Sequence, residues 1–212
     1  MRIVCISDSH LIHDEMAVPI PDGDLLIHAG DFTFNGTLDQ VRRGLDWFSK
    51  YPHPRKIAIA GNHDWFFQKA PGFVSVLLRD HPEITYLQDS EVMIDNIRIW
   101  GSPWTPEFMN WAFNVKRGEL WRKWEKIPET VDIVVTHGPP SGDLGGVLPV
   151  RGEELGDLEL FSRIMKIRPK LHVSGHIHTG HGLRERGGVL FANASLLDET
   201  YRFVHEPIVV DL

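Results

Sequence analysis

Short runs of aliphatic and β-branched residues punctuate this chain, and nearly all of them stop at Gly, Asp, Asn or His. The pattern predicts strands over Ile3–Ser7, Leu25–His28, Lys56–Ala60, Ile97–Trp100, Ile133–Thr136, Leu171–Ser174, Val189–Ala192 and Ile208–Val210. Each run is too short for a stable helix and rich in residues that pack well on a pleated surface. Between some of them the apolar spacing lengthens to three and four. Thr37-Leu38-Asp39-Gln40 has the form of a capping box, with Thr37 accepting from the helix start and Gln40 reaching back. Val41, Leu45 and Phe48 then recur at helical spacing. Leu155, Leu158, Phe161 and Met165 predict a second amphipathic helix, ended by Arg168-Pro169 because the residue before a proline avoids helical geometry. A third helix is expected through Trp111–Trp124. No repeat, low-complexity stretch or linker interrupts the alternation, so one α/β domain over residues 1–212 is the expectation.

Composition narrows the class. Hydrophobic residues make up 42% and charged residues 24%, enough apolar material for a large core and against disorder. A net charge of -7 with no long basic run argues against a protein that wraps nucleic acid. The single cysteine, Cys5, excludes an internal disulfide and sits in the first predicted strand as a packing residue. The amino terminus enters that strand without a charged segment followed by an apolar one, and no apolar run approaches the ~18 residues of a membrane span. Neither a signal peptide nor a membrane partner is expected, and the cytoplasm is the expected compartment.

The chemistry lies at the strand ends. Asp8-Ser9-His10 follows the first strand, Gly30-Asp31 the second and Gly61-Asn62-His63-Asp64 the third. Thr136-His137-Gly138 and Gly175-His176-Ile177-His178 follow two later strands. In open α/β sheets the loops at the carboxyl ends of strands converge, and ligands gather there. The glycines before Asp31, Asn62 and His176 fit sharp strand exits, where a conformation barred to other residues is expected. Asp8, His10, Asp31, Asn62, His137, His176 and His178 offer imidazole, carboxylate and amide donors but no thiolate. That set suits Mn, Fe, Co, Ni or Zn better than Ca. It is too large for one ion with an open position, and it matches two ions that share a bridging carboxylate. Each motif alone has a plain alternative, since Asp after Gly is common in turns; their joint order along the chain is what carries the reading. His28 and His172 lie within strands and read as packed residues, whereas His13, three residues beyond His10, is a candidate to reach substrate.

Together these motifs resemble the calcineurin-like metallophosphoesterase signature. The stretches Gly30-Asp31-Phe32-Thr33, Ala60-Gly61-Asn62-His63, Gly101-Ser102-Pro103-Trp104-Thr105-Pro106, Thr136-His137-Gly138-Pro139-Pro140 and Asn193-Ala194-Ser195 are similar to the small metallophosphoesterase-domain-containing family. So are Tyr86-Leu87-x-Asp89-Ser90-Glu91 and Arg168-Pro169-Lys170-Leu171-His172-Val173, and the similarity runs nearly end to end. The resemblance implies a four-layer sandwich of two packed mixed β-sheets flanked by helices. It implies Asp8, His10 and His178 as ligands of a first metal, Asn62, His137 and His176 of a second, and Asp31 as the bridge. His63 matches the histidine that faces the leaving group. The expected cofactors are two divalent ions, manganese first, with iron, cobalt, nickel or zinc as alternatives.

A hydroxide held between two such cations would attack phosphorus, and His63 would protonate the leaving group with Asp64 or a backbone carbonyl fixing its tautomer. The expected activity is hydrolysis of small phosphodiesters such as cyclic nucleotides. The alternatives are a phosphomonoesterase, a nuclease or a non-catalytic nucleotide-binding scaffold. Trp104, Phe108, Trp111 and Phe113, with Asn110 and Asn114, are either a platform for a nucleobase or a cover for the sheet.

Overall fold

The computed structural model describes residues 1–12, 19–142, 147–148 and 153–212; His13 lies outside them. A first sheet contains β1 (Arg2–Ile6), β2 (Leu25–His28), β3 (Arg55–Ala58), β4 (Ile84–Tyr86) and β15 (Ile208–Asp211), in the order β15-β1-β2-β3-β4. A second contains β5 (Ser90–Ile94), β6 (Ile97–Ser102), β9 (Ile133–Thr136), β12 (Leu171–Ser174), β13 (Gly182–Arg186) and β14 (Val189–Asn193), in the order β13-β14-β12-β9-β6-β5. β1 to β4 are mutually parallel, and so are β6, β9, β12 and β14; the antiparallel strands β15, β5 and β13 lie at sheet edges. Two short ribbons pair β7 (Thr105–Pro106) with β8 (Asn114–Val115) and β10 (Val147–Leu148) with β11 (Glu153–Glu154).

Strand alternation sorts the apolar side chains into layers. Ile3, Cys5, Ile27 and Ile57 of the first sheet meet Ile99, Ile133, Val135 and Val173 of the second in one buried cluster between the sheets. Their neighbours Val4, Ile6 and Leu26 face outward, under α1 (Leu38–Ser49), α2 (Trp65–Lys69) and α3 (Pro71–Leu77), against Val41, Leu45, Phe48, Phe67 and Val74. On the far side Trp100, Val134 and Phe191 pack under α4 (Trp121–Trp124) and α5 (Leu158–Ile167), against Trp124, Leu160 and Ile164. The layers run helix, sheet, sheet, helix, as the family resemblance implies. Cys5 is wholly buried and its thiol is pushed up to about 12 by that burial, consistent with packing. No helix among the described residues is long and apolar enough to cross a membrane.

Three readings need correction. The segment Trp111–Trp124 is helical only over Trp121–Trp124. Phe113 and Gly118 take left-handed φ values of 53° and 77°, and Asn114–Val115 pairs with Thr105–Pro106 instead. The fully buried positions of α5 are Leu160 and Ile164, with Phe161 and Met165 of the expected stripe packed partly against the same cluster, whereas Leu158 is 65% exposed. Asp157 sets that rotation: its side chain caps the helix at Leu160 N and accepts from Trp124 Nε1 at 3.0 Å. In the capping box, Thr37 accepts from Gln40 N as expected, but Gln40 Oε1 reaches past Thr37 to the amide of Asn35 at 2.8 Å. Strands β4, β5 and β13 are additional; β5 and β13 carry exposed charged residues such as Glu91, Arg184 and Glu185, which blunt a sheet edge and hide it from a hydrophobicity reading.

Candidate metal centre

The loops after β1, β2, β3, β9 and β12 converge and bring all seven proposed donors together. Asp8, His10 and His178 lie with ligand atoms within 4.8 Å of one another, and so do the sets Asp8, Asp31, His137 and His10, Asp31, His63. Asp31 is thus shared between sets, with His137 Nε2 at 3.3 Å and His10 Nε2 at 3.7 Å from its Oδ2. Asn62 joins through its Oδ1, 2.9 Å from His137 Nε2. His176 joins through its ring, whose centroid is 5.0 Å from that of His137, while its amide donates to Asp8 at 3.0 Å and 3.2 Å.

The backbone is unusual here. Asp8, His10, Asp31 and His176 all adopt left-handed φ, at 56°, 42°, 57° and 66°, a conformation that non-glycine residues avoid. Of the preceding glycines, only Gly30 needs special backbone freedom, with φ +100°. Gly61 and Gly175 are required for space: a Cβ would stand 2.2 Å from Asp31 Oδ1 at the one and 2.3 Å from Asp8 Oδ2 at the other. The strain expected at the glycines is therefore carried largely by the donor residues themselves.

Four imidazoles share one arrangement. His10 Nδ1 donates to Thr33 O at 3.0 Å, His63 Nδ1 to Phe34 O at 2.8 Å, His137 Nδ1 to Ala29 O at 2.8 Å and His178 Nδ1 to Asp198 O at 2.9 Å. A carbonyl can only accept, so each Nδ1 carries hydrogen and each Nε2 is left for the centre, the usual outer-shell support of a metal-binding histidine. His10 Nε2 is buried with no hydrogen-bond partner. Such an orphan fits a lone pair reserved for a cation.

The charges agree. Asp8 and Asp31 are almost fully buried. Burial alone would push both carboxyls up, yet the His178 hydrogen bond and charge at Asp8, and His137 at Asp31, hold them well below the carboxylate range. Conversely, burial pushes His137 and His178 down, but the facing carboxylates prevail and raise each to about 9. Buried carboxylates that raise two facing imidazoles in this way call for positive charge, and the donor set fits divalent ions.

His63 lies beside this cluster, its ring edge-on to His10 at 4.7 Å and stacked on Trp111 at 4.1 Å with a 30° tilt. Of its two foreseen partners, the carbonyl of Phe34 is the one it meets. Asp64 is spent on the loop backbone: its carboxylate accepts from Thr33 N at 2.9 Å, Thr33 Oγ1 at 2.7 Å, Gly61 N at 2.8 Å and Phe32 N at 3.2 Å. Burial, with the charge of Asp31, pushes it up to about 6. His28 stacks on Phe32 and bonds Ser9 Oγ, and His172 bonds Thr136 Oγ1; both are structural, as read. From the aromatic segment Trp111 reaches the centre, Phe113 is buried, Trp104 donates to Asp89 Oδ1 and Phe108 is exposed. Two groups had no sequence signal: Tyr201, against His10 and His178, and the carbonyls that orient the imidazoles.

A family model for calcineurin-like phosphoesterases matches residues 1–180. The human protein named metallophosphoesterase domain-containing protein 1 is 40% identical over 235 aligned positions, which cover 100% of this chain and 71% of that one. A UPF0046 protein of Caenorhabditis elegans is 35% identical, over 100% of this chain and 81% of its own. Among solved structures, phosphopantetheinyl hydrolase from Mycobacterium tuberculosis matches with a TM-score of 0.61 at 17% identity, over 91% of this chain and 88% of that one, a likeness of fold alone.

Proposed function

Because the chain belongs to the calcineurin-like phosphoesterase family, we propose that it is a metal-dependent phosphoester hydrolase built as one domain, and more narrowly a phosphodiesterase of small diesters, cyclic nucleotides among them. The observation that carries this reading is the burial of Asp8 and Asp31 in one cluster with His137. Two carboxylates removed from water are costly unless positive charge meets them. Asp8, His10 and His178 would hold one ion, Asn62, His137 and His176 a second, and Asp31 both. Manganese is the first choice, and the mixed nitrogen and oxygen donors also suit iron, cobalt, nickel or zinc. When bound, such a pair supplies charge to the phosphoryl oxygens and makes a water acidic enough to attack near neutral pH.

The chain's own part is orientation and proton transfer. The carbonyls of Thr33, Ala29 and Asp198 hold the rings of His10, His137 and His178 with Nε2 toward the centre. His63, tied to Phe34 O through Nδ1, has Nε2 alone free to exchange a proton, which makes it the candidate general acid for the leaving alkoxide. Trp111 and His10 fix its ring plane. Asp64 is a positioning residue that ties the loops after β2 and β3 together.

The test is hydrolysis of bis-p-nitrophenyl phosphate by chelator-stripped protein, with and without added manganese, alongside Asp31→Ala. Turnover that requires metal and is lost with Asp31 is expected. A protein that binds metal but turns over no diester or monoester would sink the hydrolase reading. Faster turnover of the monoester would keep the hydrolase and reject the diesterase.

A further inference from the structure

Tyr201 adopts a left-handed φ of 60°, an outlier for a bulky aromatic residue and a conformation that persists only where its surroundings enforce it. The enforcement is visible. Asp198 Oδ1 accepts from Thr200 N at 2.8 Å, Thr200 Oγ1 at 2.7 Å and Arg202 N at 3.0 Å, and Oδ2 from Arg202 Nε at 3.1 Å and Nη2 at 2.9 Å. Tyr201 N closes the turn on Asp198 O at 3.0 Å. That same carbonyl receives the Nδ1 hydrogen of His178, so one atom both aims a candidate metal ligand and seats the tyrosine.

Thr200 and Arg202 are exposed at the tip of the turn, whose stem pairs buried Leu197 with Phe203 on the core. The conformation at Tyr201 also fixes the position of the phenol ring. It stands edge-on to His10 at 5.0 Å and to His178 at 5.4 Å, and tilted 55° against Phe34 at 5.4 Å. It also lines the cleft at the rim of the centre with His176, His178, Thr179 and Glu199. Among the described residues no lysine or arginine lines that cleft, and Arg202 is committed to Asp198. The cleft also holds the Thr179 hydroxyl, whose oxygen is buried without a hydrogen-bond partner. A phosphoryl group entering this cleft would meet no side-chain cation among the described residues that line it.

We infer that Tyr201 is a substrate-binding residue whose phenol donates a hydrogen bond to a non-bridging oxygen of the bound phosphoryl group, the task that an arginine or lysine would otherwise perform. The inference rests on the reading of the centre as a metal-loaded phosphoester site. A phenol is protonated at neutral pH and brings a donor without charge. With divalent cations bound, the carboxylates of this cluster would already be matched in charge, so a neutral donor would orient the phosphoryl group without competing for the ligands.

The experiment compares manganese-loaded wild type with Tyr201→Phe, which keeps the ring and the turn. Inorganic phosphate is titrated into each by calorimetry, with bound metal and melting temperature measured on the same samples. Loss of a hydrogen bond to a charged acceptor should weaken phosphate binding by about 10- to 100-fold, with metal content and melting temperature unchanged. Equal phosphate affinity in the two proteins overturns the inference. So does a loss of affinity that merely follows a loss of metal, and so does an absence of phosphate binding by wild type. A wild type that binds phosphate tyrosine-dependently yet hydrolyses no ester leaves the inference standing and removes the hydrolase reading.

Discussion

Alanine at Gly175 is the sharpest perturbation of the centre, because it changes no donor. A Cβ there would stand 2.1 Å from Ser7 Oγ and 2.3 Å from Asp8 Oδ2. Gly175 does not use the left-handed region, so alanine is acceptable to the backbone and the effect is steric. Cβ contacts under 3.0 Å are essentially never seen, so the Asp8 carboxylate must retreat by about 0.7 Å, the gap between 2.3 Å and 3.0 Å. Rotating the Ser7 hydroxyl leaves Ser7 Cβ 2.6 Å away, and the Asp8 carboxylate can move only by giving up the hydrogen bonds that both its oxygens accept from the amide of His176. Metal–ligand distances tolerate only about ±0.2 Å. The variant should therefore bind manganese roughly 10- to 100-fold more weakly, a cost of about 1.4–2.7 kcal/mol. Overpacking should also destabilise the metal-free fold by about 1–3 kcal/mol. The assay is metal titration of chelator-stripped proteins, with thermal melts of the same samples. Gly72→Ala is the control, since its Cβ would meet nothing within 4 Å and it lies in α3, where alanine is the better helix former. Wild-type affinity and full stoichiometry in Gly175→Ala would refute the placement of Asp8 at the centre.

His63→Ala should lose about 10²- to 10⁴-fold on alkyl diesters and little on p-nitrophenyl esters, whose phenolate leaves unaided; equal losses would count against an acid at this position. The metal-free protein should be most stable near pH 6.5, by two opposite effects. On the acid side, burial holds His28, His172 and His176 at about 3 and His10 at about 4, so they stay neutral in the fold while the unfolded chain binds protons, and stability falls as pH drops below about 6.5. On the alkaline side, His137 and His178 are raised to about 9, so their contribution is complete below the unfolded value and is lost as pH rises through 9. Melting temperatures of chelated protein from pH 5 to 9.5 read both limbs, and a curve that is flat or rising at either end would contradict these assignments. Loading with manganese should remove the alkaline limb, because cations then replace the two protons.

Much of this molecule was decided by local chemistry that any reader of the chain can see. β-branched runs ending at Gly, Asp or His read as strands, and those endings carry the seven candidate donors that the fold brings close together. The helix over Leu38–Ser49 was equally open, because Thr37 and the Val41, Leu45, Phe48 stripe act within a few residues of one another. What the sequence could not determine depends on groups distant along the chain. The aromatic content of Trp111–Trp124 favours no conformation by itself; Ala112 N donates to Asn62 O and Phe113 N to Gln68, and those contacts unwind the segment and lay Trp111 on His63. The rotation of α5 was set by Trp124 meeting Asp157, 33 residues apart. The carbonyls that aim the imidazoles leave no trace in residue identity, since every residue has one. Gly61 and Gly175 are visible as glycines, but only packing tells that they serve space and not conformation. Tyr201 is the extreme case: nothing near it in sequence marks it, and only the turn built on Asp198 brings its ring against His10 and His178. Residue type fixes what chemistry is on offer; tertiary structure decides which groups face it, because orientation is set by partners that the chain meets only when folded.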